Sequence, residues 1–268
     1  MKLGVQLYSV RDEMGKDFEG TLKKVRDMGY EGVEFAGLFD KSAEEVKALC
    51  EKYDLVPVSA HVALHEMLGD ENVLQTYADI GCKFVAIPWM SEEYRPGYPG
   101  FEQNLPKLIA LAKRVKELGM FLAYHNHDVE FEKKDGEYVL DMLYRIIPAD
   151  LLKAELDTCW VNVGGEDPSE YVRKYAGRVD IIHLKDFAGK KSENMYALIG
   201  VNDGQKDETV GDFEFRPVGQ GLQNMPAILK AAEESGTEWA VVEIDEPTRG
   251  LTSLECIEKS AAYLKPLL

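Results

Sequence analysis

The chain has 268 residues, of which 45% are hydrophobic and 29% are charged, and its formal net charge is −17 at pH 7. This length and composition fit one large globular domain or two small ones. The negative charge argues against a nucleic acid substrate and against binding to an anionic membrane, because both require a basic surface.

Short apolar runs alternate with amphipathic helical patterns along the whole chain. Eight runs are predicted to be strands, at residues 3–9, 32–36, 56–61, 84–89, 120–127, 152–157, 179–185 and 240–245. Eight strands that are each followed by a helix predict a single (β/α)₈ TIM barrel over residues 1–268. A doubly wound sheet is the alternative, but LYSVRDEM follows the first strand where that fold would have a glycine-rich phosphate loop.

Two connections are longer than usual. Residues 132–139 contain Asp135-Gly136, which predicts a small hairpin. Residues 187–223 follow the seventh strand and are rich in glycine and charge. Long loops after barrel strands cover the active face, so this segment is predicted to be a substrate lid.

The cysteines and the N-terminal sequence suggest a cytoplasmic protein. MKLGVQLYSVRDEM lacks the apolar region of a signal peptide, and no apolar run is long enough to span a bilayer. Cys50, Cys82, Cys159 and Cys256 are widely spaced and form no C-x-x-C pair, so reduced thiols are expected. Cys159 follows Asp157 closely, but a buried structural role is favoured over that of a nucleophile.

Polar residues recur on one face of the predicted strands. Because side chains alternate along a strand and the face toward the helices must be apolar, these residues are predicted to point into the barrel. They are Gln6, Tyr8, Glu34, Ser59, His61, His125, His127, Glu155, Asp157, His183, Lys185, Glu243 and Asp245. Buried charge without a partner is costly, and a metal ion would supply the partner.

Four of these residues form a mixed nitrogen and oxygen donor set at the ends of strands five to eight. We predict that His125, Asp157, His183 and Glu243 bind one divalent metal, with a nearby Glu as the alternative to His125. Such a set suits Mn²⁺, Zn²⁺, Co²⁺ or Fe²⁺, whereas Mg²⁺ prefers oxygen ligands alone. The competing interpretation is a network of buried salt bridges, from Asp157 to His183 and from Glu243 to Lys185.

The order of these motifs resembles the sugar phosphate isomerase/epimerase group of xylose isomerase-like TIM barrels. That group includes ketose 3-epimerases, inosose dehydratase, dehydroshikimate dehydratase and related abasic-site endonucleases. The resemblance implies one divalent metal held by Glu, Asp, His and Glu from strands five to eight. Asp157 in ELDTCW, His183 in HLKD and Glu243 in VEIDE match the last three of these ligands.

The opening GVQLYSVRD and the segment SAHVAL also resemble the group, which implies that Gln6, Tyr8 and His61 contact the substrate. One departure matters. Where the group often has Glu-Asn-His after strand five, this chain has His125-Asn126-His127. An epimerase with a Glu on each side of its substrate would lose one base, and His127 is the natural substitute, as in the dehydratases of the group.

The expected function is a metal-dependent isomerase or epimerase that removes a proton beside a metal-bound carbonyl of a keto-sugar or polyol. The alternative is a lyase or dehydratase that acts on an inosose or a 3-keto-glycoside with the same site. An endonuclease and a catalytically silent sugar-binding barrel are less favoured. The proposed catalytic residues are Glu243, His127 and Lys185.

Further expectations concern ligands and partners. Besides Gln6, Tyr8 and His61, the residues Glu130 and Arg216 are candidates for substrate binding. Mn²⁺ is the preferred metal, with Zn²⁺, Co²⁺, Fe²⁺ or Mg²⁺ as alternatives. The partner is a small carbohydrate or cyclitol, with no nucleic acid or membrane, and a homo-oligomer is consistent with the group.

Overall fold

The computed structural model describes residues 1–190 and 212–268, and it contains eight parallel strands that form a nearly closed barrel. In chain order, the barrel strands are β1 (Lys2–Gln6), β2 (Gly32–Phe35), β3 (Val56–Ala60), β4 (Phe84–Ile87), β5 (Phe121–His125), β6 (Leu152–Asp157), β7 (Val179–Leu184) and β8 (Trp239–Val242). They are hydrogen-bonded in the order β3-β2-β1-β8-β7-β6-β5-β4, and a single parallel bridge between His61 and Ala86 links the two ends. The predicted (β/α)₈ barrel is confirmed.

Helices lie between the strands and pack their apolar faces on the barrel. They are α1 (Arg11–Lys16), α2 (Phe18–Asp27), α3 (Ala43–Lys52), α4 (Leu64–Gly69), α5 (Glu71–Ile80), α6 (Phe101–Glu117), α7 (Val139–Ile146), α8 (Thr158–Val163), α9 (Pro168–Lys174), α10 (Met225–Glu234) and α11 (Ser253–Leu264). Capping boxes begin two of them: Ser42 with Glu45 opens α3, and Thr252 with Glu255 opens α11. None of the helices within the described ranges is long and apolar enough to cross a membrane.

Seven of the eight predicted strands run one to three residues past the ends of the observed ones, and three of these ends carry site residues. β1 stops at Gln6, whose side chain accepts a hydrogen bond from Tyr8 N and starts a short 3₁₀ helix, Leu7–Val10. His127 and Glu243 likewise lie just beyond the ends of β5 and β8. These side chains therefore sit at the carboxyl-terminal mouth of the barrel, where loops begin.

The amino-terminal half of the barrel interior is filled by apolar side chains. A separate buried cluster contains Val58, Phe84, Ile181, Trp239 and Val241. Room for it depends on Gly32, where an added Cβ would lie 2.5 Å from side-chain atoms of both Trp239 and Val58. The interior is thus a packed floor, and polar chemistry is confined to its carboxyl-terminal half.

The predicted hairpin at residues 132–139 is present. Lys133–Lys134 pairs antiparallel with Glu137–Tyr138, and the two turn residues have positive φ values, 51° at Asp135 and 87° at Gly136. All four cysteines are free and buried, as the reduced-thiol interpretation expects. Burial, reinforced by Asp157, raises the pKa of the Cys159 thiol well above its ordinary value, which argues against a nucleophile there.

The long connection after β7 begins and ends in a small hairpin of Asp186–Ala188 with Glu214–Arg216. Its base is held by the buried Asp186 carboxylate. One oxygen accepts from the backbone N–H groups of Phe187 (2.9 Å) and Gln223 (3.1 Å), and the other from Gly219 (3.0 Å) and Gly221 (2.9 Å). The centre of the predicted lid, residues 191–211, lies outside the described residues.

Asp186→Asn should destabilise the protein although it keeps the shape of the side chain. The new amide group cannot accept a hydrogen bond, so two backbone N–H groups lose their acceptor, and we expect the free energy of unfolding to fall by about 2–4 kcal/mol. Urea denaturation measures this change. Asp180→Asn is the matched control, because it removes only a partly exposed ion pair with Lys153 (2.8 Å) and should cost less than about 1 kcal/mol. Equal losses in the two variants would contradict the role of Asp186.

Candidate active site

A cavity of about 490 Å³ opens at the carboxyl-terminal ends of the strands, which is a usual size for a small-molecule site. Its walls include the aromatic side chains of Tyr8, Tyr77 and Trp89. Polar side chains form its base, namely His61, His125, His127, Lys185, Glu243 and Asp245. This is the face on which enzymes with this barrel carry their active sites.

The four residues predicted to bind a metal lie together at the base of the cavity. We call them the metal-ligand group: His125, Asp157, His183 and Glu243. Their ligand atoms all lie within 4.8 Å of one another. His125 Nε2 lies 3.7 Å from Asp157 Oδ2, and His183 Nδ1 lies 2.8 Å from Glu243 Oε2. The strand register explains part of this grouping, because Asp157 and His183 are direct partners in the pairing of β6 with β7.

Lys185 joins the carboxylates of this group. Its Nζ lies 3.2 Å from Asp157 Oδ2, 3.1 Å from Glu243 Oε2 and 2.8 Å from Asp245 Oδ2. Burial opposes its charge, but these three carboxylates raise the pKa of Lys185 well above its ordinary value. The predicted Glu243–Lys185 salt bridge is therefore present, whereas the imidazole of His183 is paired with Glu34, Glu155 and Glu243 in place of Asp157.

Negative charge exceeds positive charge around this lysine. Five carboxylates, those of Glu34, Glu155, Asp157, Glu243 and Asp245, are at most 5% exposed. Burial raises the pKa of Glu155 to about 7, with a further contribution from the neighbouring Glu34 carboxylate. Burial likewise raises the pKa of Asp245 to about 7. In both groups the effect of burial on the pKa outweighs that of the neighbouring cations, which are His61 and His183 beside Glu155 and Lys185 beside Asp245.

The donor atoms fit a divalent cation. One oxygen of Asp157, Oδ1, accepts hydrogen bonds from Cys159 N (2.8 Å) and Trp160 N (3.1 Å) at the start of α8. The other, Oδ2, is buried and accepts no hydrogen bond from residues 1–190 and 212–268, although it faces His125 and Lys185. Two imidazoles and two carboxylates are the donor set of Mn²⁺, Zn²⁺, Co²⁺ or Fe²⁺.

A second group of polar residues lies deeper in the barrel and is called the deep polar group: Gln6, Glu34, His61 and Glu155. Gln6 Nε2 donates to Glu34 Oε1 (2.6 Å), and His61 Nε2 is hydrogen-bonded to Glu155 Oε1 (2.6 Å). His61 also lines the cavity, as does Tyr8, in keeping with their predicted contact with substrate. Gln6 does not; it is fully buried and holds Glu34, so the structure does not support a substrate contact for it.

His127 lies beside the metal-ligand group without belonging to it. Its ring packs against those of His125, Trp89 and Trp160, with centroid distances of 5.1, 5.2 and 5.5 Å. Its Nδ1 is buried and has no hydrogen-bond partner in the part of the chain that the structure describes. Burial, together with the charge of Lys185, lowers the pKa of His127 well below its ordinary value. The ring is therefore neutral and has a nitrogen that can accept a proton.

Glu130, a candidate for substrate binding from the sequence, has a buried side chain in the structure. The side chain is 1% exposed and lies outside the cavity lining. It accepts hydrogen bonds from Tyr124 Oη (2.8 Å) and from the backbone N–H of His127 (2.7 Å), and it lies 3.5 Å from Arg95 Nε. Its role is thus to hold the turn that carries His127, which lies between β5 and the 3₁₀ helix Val129–Phe131.

Arg216 is also placed away from the cavity. It lies on the hairpin after β7, where it pairs across the sheet with Asp186, and its Nη2 is 2.5 Å from Glu214 Oε2. The cavity lining includes two residues that strand parity could not indicate, Glu66 and Tyr77, because they belong to α4 and α5. No sequence pattern marks Arg95, which stacks on Trp89 at 4.6 Å.

Residues 22–267 match the family model described as xylose isomerase-like TIM barrel. The chain belongs to this family. Xylose isomerase-like barrels are the group that the sequence motifs resembled, so that prediction is confirmed.

Among curated members of this family, an inosose dehydratase of Clostridium beijerinckii is 23% identical over 285 residues, covering 94% of this chain and 91% of that protein. A solved sugar phosphate isomerase/epimerase of Parabacteroides distasonis has a TM-score of 0.75 and 22% identity, with 98% of this chain and 93% of that chain covered. An L-ribulose 3-epimerase structure has a TM-score of 0.71 and 15% identity, covering 100% and 95%. The structural likenesses concern the fold alone. The family match and the curated relative indicate an enzyme of the xylose isomerase-like group.

Proposed function

We propose that the chain is a metal-dependent lyase that removes water, or another oxygen substituent, from an uncharged keto-cyclitol or keto-sugar. The observation that carries this proposal is the metal-ligand group at the base of the cavity, with the neutral His127 ring beside it. The similarity to inosose dehydratases over most of both chains supports the same class of reaction.

His125, Asp157, His183 and Glu243 are the residues that would hold the metal. A divalent cation bound there would polarise a substrate carbonyl and acidify the neighbouring C–H bond. Mn²⁺ is the first ion to test, followed by Zn²⁺, Co²⁺ and Fe²⁺.

His127 is the proposed base. Its neutral imidazole takes the proton from the carbon next to the carbonyl, and the electron pair of that C–H bond forms a carbon–carbon double bond. The bond from the next carbon to its oxygen breaks, and this oxygen leaves as water with the proton that His127 holds. His127 can therefore both remove the proton from carbon and protonate the oxygen that leaves. This fits a site with His125 in place of the expected strand-five Glu, because such a site has lost one of the two bases of an epimerase.

Other residues of the cavity would position the substrate. The Lys185 ammonium at the base can donate a hydrogen bond to a substrate oxygen, while Tyr8 and His61 face the cavity from the other side of the barrel mouth. Two cationic side chains line the cavity within residues 1–190 and 212–268, and they are Lys185 and His61. Both are already paired with carboxylates. This pairing supports an uncharged substrate, because a phosphate group needs cations that are free to bind it.

The second candidate is the isomerase or epimerase expected from the sequence. It is favoured by Asp245, which lines the same cavity and whose pKa burial raises to about 7. A carboxyl group that exchanges its proton near neutrality can return a proton to the enediolate at another face or another carbon. Epimerisation or isomerisation would then use His127 and Asp245 as a pair.

A single experiment separates these candidates. Protein loaded with Mn²⁺ is incubated in D₂O with ketoses, inososes and 3-keto-glycosides, and C–H exchange and products are followed by NMR. We expect exchange on an inosose or keto-glycoside, formation of an unsaturated ketone, and loss of both on chelation. Exchange with an epimer or isomer as the product would select the second candidate. The absence of exchange with every compound would contradict both and leave a barrel that only binds its ligand.

A further inference from the structure

The two imidazoles of the metal-ligand group each present one nitrogen to the deep polar group. His125 directs Nε2 toward Asp157 and is hydrogen-bonded through Nδ1 to Glu155 Oε1 at 3.2 Å. His183 contacts Glu243 through Nδ1, while its Nε2 lies 2.9 Å from Glu34 Oε1. Each ring therefore lies between a carboxylate of the cavity base and a carboxylate of the deeper layer.

We propose that Glu155 is the positioning residue of this metal centre, which orients the His125 ring and supplies the negative charge that a neutral histidine ligand lacks. The inference rests on the proposed function only in that it requires the metal centre. It concerns how the ligand is held, and it is independent of the reaction and of the substrate.

The backbone fixes Glu155 in this place. His125 and Glu155 are direct partners in the parallel pairing of β5 with β6, so their side chains emerge next to each other inside the barrel. Glu155 is fully buried, and its Oε1 lies 2.6 Å from His61 Nε2, 3.2 Å from His125 Nδ1 and 3.3 Å from His183 Nε2. A carboxylate accepts hydrogen bonds only, so the facing His125 Nδ1 must carry the hydrogen.

This hydrogen bond determines which nitrogen of His125 can bind a metal. With the hydrogen on Nδ1, the lone pair is on Nε2, which is the nitrogen that faces Asp157. A carboxylate behind a histidine ligand also increases the electron density that the ring donates. The His125–Glu155 pair thus resembles an anionic ligand in charge, although its donor atom is nitrogen.

The same atoms suggest a competing interpretation, in which His61, His125, Glu155 and His183 bind a second cation. In that case His125 and His183 would each bridge two ions and would have no N–H group left. Both carboxylates of the deep polar group already have hydrogen-bond partners. Gln6 donates to Glu34, and Glu155 is hydrogen-bonded to His61 and to His125. We therefore favour one metal per chain, with Glu155 as hydrogen-bond acceptor.

The test uses Zn²⁺ and measures binding, without any substrate. Competition with a chromophoric chelator should give one Zn²⁺ per chain for the wild type and an affinity about 10–100-fold weaker for Glu155→Gln. Glu130→Gln is the matched control, because it alters another fully buried glutamate that contacts the His127 backbone and makes no contact with His125. Its Zn²⁺ affinity should stay within a few-fold of the wild type.

A compensating variant tests the charge argument. His125→Glu/Glu155→Gln moves the carboxylate to the ligand position, and it should recover most of the affinity that Glu155→Gln loses. His125→Glu alone should not, because it places a carboxylate next to Glu155. No recovery in the double variant would overturn the statement that Glu155 supplies the missing charge.

A measurement on the unmodified chain covers the case in which the variants fail to fold. The chain has five histidines, so their ¹⁵N signals can be assigned. In the Zn²⁺-loaded protein, we expect the hydrogen of His125 on Nδ1 and the metal on Nε2. The opposite tautomer, an unchanged affinity in Glu155→Gln, or two Zn²⁺ per chain would each overturn the inference. A wild type that binds no divalent metal at all would instead refute the proposed function itself.

Discussion

Asp157→Asn is expected to abolish metal binding and to lower the rate of substrate C–H exchange by roughly 10³-fold or more. The variant removes one proposed carboxylate ligand and one negative charge from a site in which Asp157 Oδ2 accepts no hydrogen bond from the described residues. Metal polarisation of a carbonyl contributes several kcal/mol to the transition state, and each 1.36 kcal/mol changes a rate about tenfold. Metal content after desalting and exchange in D₂O measure the two effects.

The fold should survive this substitution. Asp157 Oδ1 caps α8, and the amide oxygen of asparagine can accept the same two backbone hydrogen bonds. Asp167→Asn is the matched control, because Asp167 caps α9 in the same way and lies outside the cavity lining. Both variants should keep the far-UV spectrum of the wild type, and only Asp157→Asn should lose metal. Wild-type metal content and exchange in Asp157→Asn would refute the proposed centre.

His127→Gln should lose catalysis while it keeps the metal. General base catalysis contributes about 10²–10⁴-fold, and no other neutral imidazole stands in the same position beside the metal-ligand group among the described residues. Because His127 is not one of the four ligands, Zn²⁺ or Mn²⁺ content should equal that of the wild type. Exchange at the substrate carbon in D₂O, measured at saturating substrate, is the readout.

His65→Gln is the control for this second prediction, since His65 is exposed on α4 and does not line the cavity. It should exchange substrate protons at the wild-type rate. Full activity in His127→Gln would remove His127 from the mechanism and leave Asp245 as the base. Loss of metal in His127→Gln would show that His127 serves as a ligand.

The inward positions within strands were predictable from sequence because they depend on one periodic rule. Alternation placed His125, Asp157 and His183 on the inner face, and the structure has them there with at most 2% exposure. The rule worked because the opposite face must pack against helices, so apolar residues mark it clearly.

The alternation rule does not apply to residues beyond the ends of the strands. Glu130 follows β5, and its direction depends on a turn that buries it against Tyr124 and Arg95. Arg216 belongs to a hairpin whose partner strand lies almost thirty residues earlier in the chain. Gln6 shows a different limit of the alternation rule. The rule correctly predicts that its side chain points inward, but it does not give the depth along the barrel axis, and at this depth Gln6 contacts Glu34 and not the cavity.

The sequence by itself determined the barrel, the face of each strand that looks inward, and the four candidate metal ligands, since all of these follow from short-range periodicity and residue chemistry. Only the tertiary structure decided which buried groups touch. Register between strands distant in sequence brought Glu155 beside His125 and Asp157 beside His183. It also brought Lys185 among three carboxylates. Charges interact over a few ångströms in space, and no local pattern in the chain records those separations.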